Sequence, residues 1–337
     1  MRYNRDIINP KSSIDTMHGR SSRTARKMTF SKGANEVTLE RSVTSPQPLD
    51  VAAAERVLKE AKRLMEQLGV IFFLRQGTCL GAIRDKGFIP WDDDLDIGSV
   101  IGLHGLTKKS IDRVIDRTIT AFTNSGYIVK TETNDHTITM MMFKSSTRID
   151  WTCSQIIDDS VFHYPGIRIP IGLFTDLKEI DFIGEKFLVP NPPEEYLRFK
   201  YGAEWMTPKK TGYVKDVVEM IPEAPIPGRA GRLRQWITKH VLQSHTCRVR
   251  VLDHAGVPVS GAEVVVVGLS RSKTNRQGSA KFYLPSNDFY ALVIRYDGHE
   301  EVLYQEIMHP GEVYVYKPDA SSTVGRMFVL STERTAH

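Results

Sequence analysis

The segment Trp91-Asp92-Asp93-Asp94-Leu95-Asp96-Ile97-Gly98 sets four carboxylates within five residues. In an extended strand residues i and i+2 share a face, so Asp94 and Asp96 point one way while Leu95 and Ile97 point into a core. Asp92 lies in line with them. Two carboxylates held ~4 Å apart repel by roughly 4 kcal/mol at an effective dielectric of about 20. A fold that keeps them together needs a countercharge, and hard oxygen ligands suit Mg²⁺ or Mn²⁺. A solvated acidic turn is the plainer reading of an Asp-Asp-Asp run, but the apolar alternation favours a strand with one acidic and one buried face.

A partner for this strand is legible further on. Arg148, Asp150 and Thr152 alternate with Ile149, Trp151 and Cys153, which makes Asp150 a third candidate ligand on the polar face of a buried strand. Upstream, Gly77-Thr78 falls between an apolar run at residues 70–74 and a short helix predicted over 79–84. Such a turn offers backbone N–H groups and a hydroxyl to phosphate oxygens.

Around these motifs the first half mixes helices and strands. Asp50 caps a helical period through Ala54, Val57, Leu58, Ala61, Met65 and Leu68 that stops at Gly69. A second helix runs from Ile111 to Phe122, β-type runs follow at 127–131, 137–144 and 147–153, and Pro192-Pro193 opens a short helix closed by Gly202. Residues 1–48 are Ser/Thr-rich without a hydrophobic period and read as a disordered basic arm, and residues 1–50 carry four of the chain's five net positive charges. With that arm set aside the rest is near neutral, which argues against nucleic-acid binding.

The compact catalytic region is expected over 50–215 and a linker over 216–244. Within the linker, residues 232–241 form a basic helix with Leu233, Trp236, Ile237 and Val241 on one face, a strut between regions or a peripheral membrane contact. From 245 to 318, short strands punctuated by Asp253-His254-Ala255-Gly256 and Asp297-Gly298 predict a small all-β sandwich with its own core, followed by a tail, 319–337. Three cysteines without CxxC spacing and no apolar run of the ~18 residues a membrane span needs point to a cytoplasmic protein without a transmembrane segment. Cys79 and Cys153 are read as small buried apolar residues, and Trp91, Tyr201 and Trp205 as packing residues.

The stretch Gln76-Gly77-Thr78-Cys79-Leu80-Gly81-Ala82-Ile83-Arg84, followed by Gly87-Phe88-Ile89-Pro90-Trp91 and the acidic run, resembles the signature of the LicD and fukutin-related family. Tyr196-Leu197, Tyr201-Gly202 and Trp205-Met206 to Pro208 resemble its closing motif. The resemblance implies an α+β nucleotidyltransferase fold of the polymerase-β type. It makes Asp94 and Asp96 the metal ligands, Asp150 the third acid, and Gly77, Thr78 and Arg84 phosphate-side contacts. It further implies a CDP-linked donor and a glycan acceptor, with phosphocholine or a polyol phosphate transferred. Nucleotidyl transfer with pyrophosphate release, or an inactive glycan-binding protein, are the alternatives. Asp85 stands where the family usually has His. The C-terminal block, with Gly256-Val257-Pro258-Val259 and Gly261-Ala262-Glu263-Val264, resembles a carboxypeptidase-regulatory-like, transthyretin-like β-sandwich.

Overall fold

The computed structural model describes residues 34–44, 47–133, 136–163, 167–210, 216–218, 221, 246–284, 288–319 and 329–332. The basic helix expected at 232–241 lies outside these residues. Helix α1, Ala34–Thr44, falls inside the stretch read as a disordered arm, and corrects that reading in part. Leu39, the one buried residue among its described side chains, is too little to create a hydrophobic period, so composition concealed the helix.

Helix α2, Val51–Leu68, begins where Asp50 accepts a hydrogen bond from the Ala53 amide, and ends at Gly69, whose φ of 70° is the left-handed cap glycine tolerates. Its buried stripe lies on the main sheet. Strand β1 is only Phe73–Leu74, shorter than the apolar run suggested, because the chain then turns into helix α3, Gln76–Leu80, prolonged by a π-helical turn, Gly81–Asp85. Strand β2 is Asp94–Ile101 and helix α4 is Ile111–Asn124. Strands β3 (Ile128–Thr133), β4 (Thr137–Lys144), β5 (Thr147–Ile157), β6 (Ser160–His163) and β7 (Ile167–Pro170) complete the sheet, with spatial order β1-β2-β5-β4-β3 and with β6 and β7 continuing from β5. The pair β2 and β5 is parallel and its neighbours pair antiparallel. Helix α5 (Gly172–Thr175), a separate hairpin of β8 (Lys178–Phe182) and β9 (Glu185–Val189), and helix α6 (Pro193–Tyr201) follow.

The C-terminal region is rich in strands: β10 (Thr246–Val251), β11 (Glu263–Val266), β12 (Ser270–Lys273), β13 (Ser279–Tyr283), β14 (Asp288–Tyr296), β15 (His299–Met308), β16 (Val313–Tyr316) and β17 (Ser331–Thr332). They form two four-stranded sheets, β13-β10-β16-β17 and β12-β11-β14-β15. Val249 and Val251 of one sheet and Val264, Leu292, Ile294 and Leu303 of the other fill one apolar cluster. The sequence predicts a separate core for each region, yet the second cluster runs through both: Ala291, Val293, Val302 and Tyr304 belong to the same continuous core as Leu58, Leu95 and Trp151. The reason is local. The middle stretches of β11 (264–266), β14 (291–294) and β15 (302–304) are apolar on both faces, as in a sheet covered on both sides. Among the described residues no helix is long and apolar enough to cross a membrane.

Candidate active site

The parallel pairing sets the geometry of the acids. Asp94 lies opposite Arg148 and Asp96 opposite Asp150, while Leu95, Ile97, Ile149 and Trp151 are fully buried beneath them. Three of the expected site residues, Asp94, Asp96 and Asp150, therefore share one face of adjacent strands. A cavity of about 790 Å³ opens over this face.

Two acids that the sequence reading left outside the set join it. Carboxylate oxygens of Asp92, Asp93 and Asp94 all come within 4.8 Å of one another. Asp92 approaches Gly77 so closely that a methyl group there would collide with its carboxylate, which is why glycine stands at that position. Burial, then the charges of Asp94 and Asp96, raise Asp92 well above the usual carboxylate range. Asp96 is likewise raised, by burial and Asp94, against the opposing charges of Arg75 and Lys200. Burial lifts Asp93 to about 6 and Asp150 to about 7, with the Arg148 guanidinium opposing both shifts.

Arg148 is the countercharge in place. Its guanidinium hydrogen-bonds the Asp94 carboxylate, lies 3.6 Å from Asp93, and donates to the Ser42 carbonyl of α1 at 2.6 Å. Its Nε sits 3.3 Å from Asp150 Oδ1 without hydrogen-bond alignment, so that buried carboxylate oxygen has no hydrogen-bond partner. Alternation had marked Arg148 only as a neighbour of Asp150; an arginine flanking a buried acid was the signal.

Helix α3 fixes the acids from behind. The Thr78 hydroxyl accepts the Asp96 amide at 2.8 Å, the Gln76 side chain donates to Asp96 Oδ1 at 3.1 Å, and the Tyr196 hydroxyl accepts the Gln76 amide at 3.0 Å. Gly77 and Thr78 thus sit in the first turn of a helix, not in a turn preceding one. Gly77 lines the cavity, whereas Thr78 is buried with its hydroxyl turned to the Asp96 backbone; only a helical start brings it there. Arg84 lines the cavity with its guanidinium forked onto Asp85 at 2.8 and 2.7 Å.

Arg75 and Lys200, both buried, were missed. Lys200 lies one turn after Tyr196 on the buried face of α6, a position where the sequence shows only a basic residue in a helix. Burial, helped by the Arg75 charge and opposed by Asp96, lowers Lys200 to about 7. Trp91 and Trp205 border the cavity as well as packing, and Cys79 and Cys153 are fully buried.

Residues 69–192 match the LicD/FKTN/FKRP, nucleotidyltransferase domain. Human ribitol-5-phosphate transferase FKTN is 28% identical over 169 residues, 47% of this chain and 34% of that protein. The lipopolysaccharide cholinephosphotransferase LicD of Haemophilus influenzae is 56% identical over 34 residues, 10% of this chain and 13% of that protein. An uncharacterized protein of Rickettsia prowazekii, RP689, is 42% identical over 43 residues, 13% of this chain and 16% of that protein. The chain thus spans about a third of the length of the FKTN proteins it matches. The strands that carry Asp94, Asp96 and Asp150 fall within the matched span, and the chain carries a LicD/FKTN/FKRP domain of mixed α/β content across residues 69–192.

Proposed function

We propose that this domain is a metal-dependent transferase that moves a phosphoryl-linked substituent, phosphocholine or a polyol phosphate, from a CDP-activated donor to a glycan hydroxyl. The observation that carries the reading is the register of β2 on β5, with Asp96 opposite Asp150 and Asp94 beside them under one cavity. The names of the relatives, a ribitol-5-phosphate transferase and a cholinephosphotransferase, support the class of group transferred. We read the sheet as a nucleotidyltransferase fold of the polymerase-β type and the C-terminal sheets as a carboxypeptidase-regulatory-like sandwich.

The donor set fits a hard divalent cation: every candidate ligand is a carboxylate, several are raised by burial and by one another's charge, and one buried Asp150 oxygen is unsatisfied. Asp94, Asp96 and Asp150 would hold Mg²⁺ or Mn²⁺, with Asp92 and Asp93 adjacent. Bound there, the cation supplies positive charge to the diphosphate and to the attacking and leaving oxygens. The chain's own residues do the rest. Gly77 leaves room beside Asp92, Arg84 stands on the phosphate side, and Thr78 and Gln76 keep Asp96 oriented. Asp150 accepts the proton of the acceptor hydroxyl as its oxygen bonds to the β-phosphorus and the bond to CMP breaks.

The test is CMP release from CDP-choline, CDP-glycerol and CDP-ribitol with a panel of glycan acceptors and Mg²⁺ or Mn²⁺. Turnover with one donor, abolished in Asp94→Asn and Asp96→Asn and strongly reduced in Asp150→Asn, is the expected result. Pyrophosphate release from a nucleoside triphosphate with no CMP from any donor would replace the reading with nucleotidyl transfer.

A further inference from the structure

Two steps along β14, from Tyr290 to Leu292, are matched by three along β15, from Glu306 to Leu303. Side chains of a regular strand alternate, so residues 302 and 304 would share a face with 306, and 303 with 305 and 307. The extra residue breaks that parity. Val302 and Tyr304 pack toward the catalytic region, and Leu303 and Met308 pack into the C-terminal cluster. Past the irregularity, Gln305 and Ile307 join Tyr304 in the cavity wall while Glu306 turns inward. A regular strand would present either Tyr304 or the pair Gln305 and Ile307 to the cavity, never all three.

The residue so delivered meets a buried cation. Lys200 Nζ donates to the Tyr304 hydroxyl at 3.2 Å, and Lys200 is only 2% exposed. Lys200 and Arg75 line the same cavity as Asp96, and Arg75 Nε has no hydrogen-bond partner among the described residues. Two cationic side chains are buried near each other with the Asp96 carboxylate acting on both, and the pair can receive a further anion in the cavity. Closely spaced phosphoryl oxygens are the anions that a guanidinium and an ammonium grip together.

We infer that Lys200 and Arg75 bind the diphosphate of a nucleoside-diphosphate ligand, and that Tyr304, carried in by the bulge on β15, is the positioning residue for Lys200. The C-terminal region is then part of the ligand site and not a detachable accessory. This rests on reading the cavity as the site of a CDP-linked donor.

The experiment is calorimetric titration of the full chain, in Mn²⁺, with CDP, CMP and cytidine. Lys200→Met is expected to weaken CDP roughly tenfold or more and Tyr304→Phe severalfold, as for hydrogen bonds to a charged group. Cytidine should bind both variants as it binds the wild type, a selectivity that a merely structural role would not produce. If Lys200→Met does not fold, Tyr304→Phe, which loses one hydroxyl, carries the test alone. Unchanged CDP affinity in the folded variants overturns the inference, as does a parallel loss of cytidine binding or a wild type that does not bind CDP. Loss of CDP binding as stated, in a protein that releases no CMP from any donor, would uphold the diphosphate site and remove the transferase reading.

Discussion

Replacing Lys200 with Met should change how stability depends on pH, and the sign is fixed by the burial of the lysine. In the folded chain burial brings Lys200 from the ordinary value of 10.5 to about 7, with Arg75 adding to the shift and Asp96 opposing it. Above pH 7 the folded state has released this proton, while the unfolded chain keeps it up to its ordinary value. Unfolding therefore takes up a proton between these limits, and stability rises with pH across that window. Below pH 7 the folded state bears the whole penalty, roughly 5 kcal/mol at about 1.4 kcal/mol per pH unit.

Urea unfolding of wild type and Lys200→Met at a series of pH values isolates the residue together with the Asp96 it acts on, because titrating groups away from them cancel in the difference. The wild type should gain roughly 2 kcal/mol on the variant between pH 7.5 and 9.0. Methionine keeps the length of the stem without the charge, so the variant should also be the more stable at pH 6. A difference curve that is flat from pH 7 to 9.5 would refute the argument that burial holds the Lys200 ammonium below its ordinary range.

Gly77→Ala should place a methyl group against the Asp92 carboxylate, destabilise the chain by about 1–3 kcal/mol and lower turnover; a melting temperature and rate equal to wild type would mean the approach is not tight. Arg148→Met should leave Asp93, Asp94 and Asp150 without their countercharge and cost about 3–5 kcal/mol in urea unfolding, the loss being larger at pH 8 than at pH 5, where the raised Asp93 and Asp150 are protonated. Tyr196→Phe should cost about 1 kcal/mol by removing the acceptor of the Gln76 amide, and should loosen the hold on Asp96; hydrogen exchange at Gln76 reports it, and unaltered exchange there would contradict the bond.

How much of this was legible in sequence follows the range of the forces involved. Asp50 and Gly69 bounded α2 because caps are local chemistry, and the strand carrying Asp94 and Asp96 was visible because alternation is local too. Thr78 was assigned to the cavity because a Gly-Thr turn was expected where a helix starts; one residue of helical rotation points its hydroxyl at the Asp96 amide instead. Arg75 and Lys200 carry no local signature; Lys200 meets Tyr304 of β15, a contact between residues about a hundred positions apart. Helix α1 was hidden for the complementary reason: one leucine against a distant surface leaves no period to read.

Asp96 and Asp150 meet only because β2 lies on β5 in one register. Chain segments so distant are brought together at an entropic cost, and side chains of a strand change face with every residue. A slip of a single position would carry Leu95 or Ile149 into the cavity and press a carboxylate into the core. The same alignment that seals the interior therefore also writes the address of the site. Any variant that folds with an intact core must have assembled its acids as well, so loss of activity in a fully folded variant points to the chemistry of the altered side chain and not to a misplaced strand.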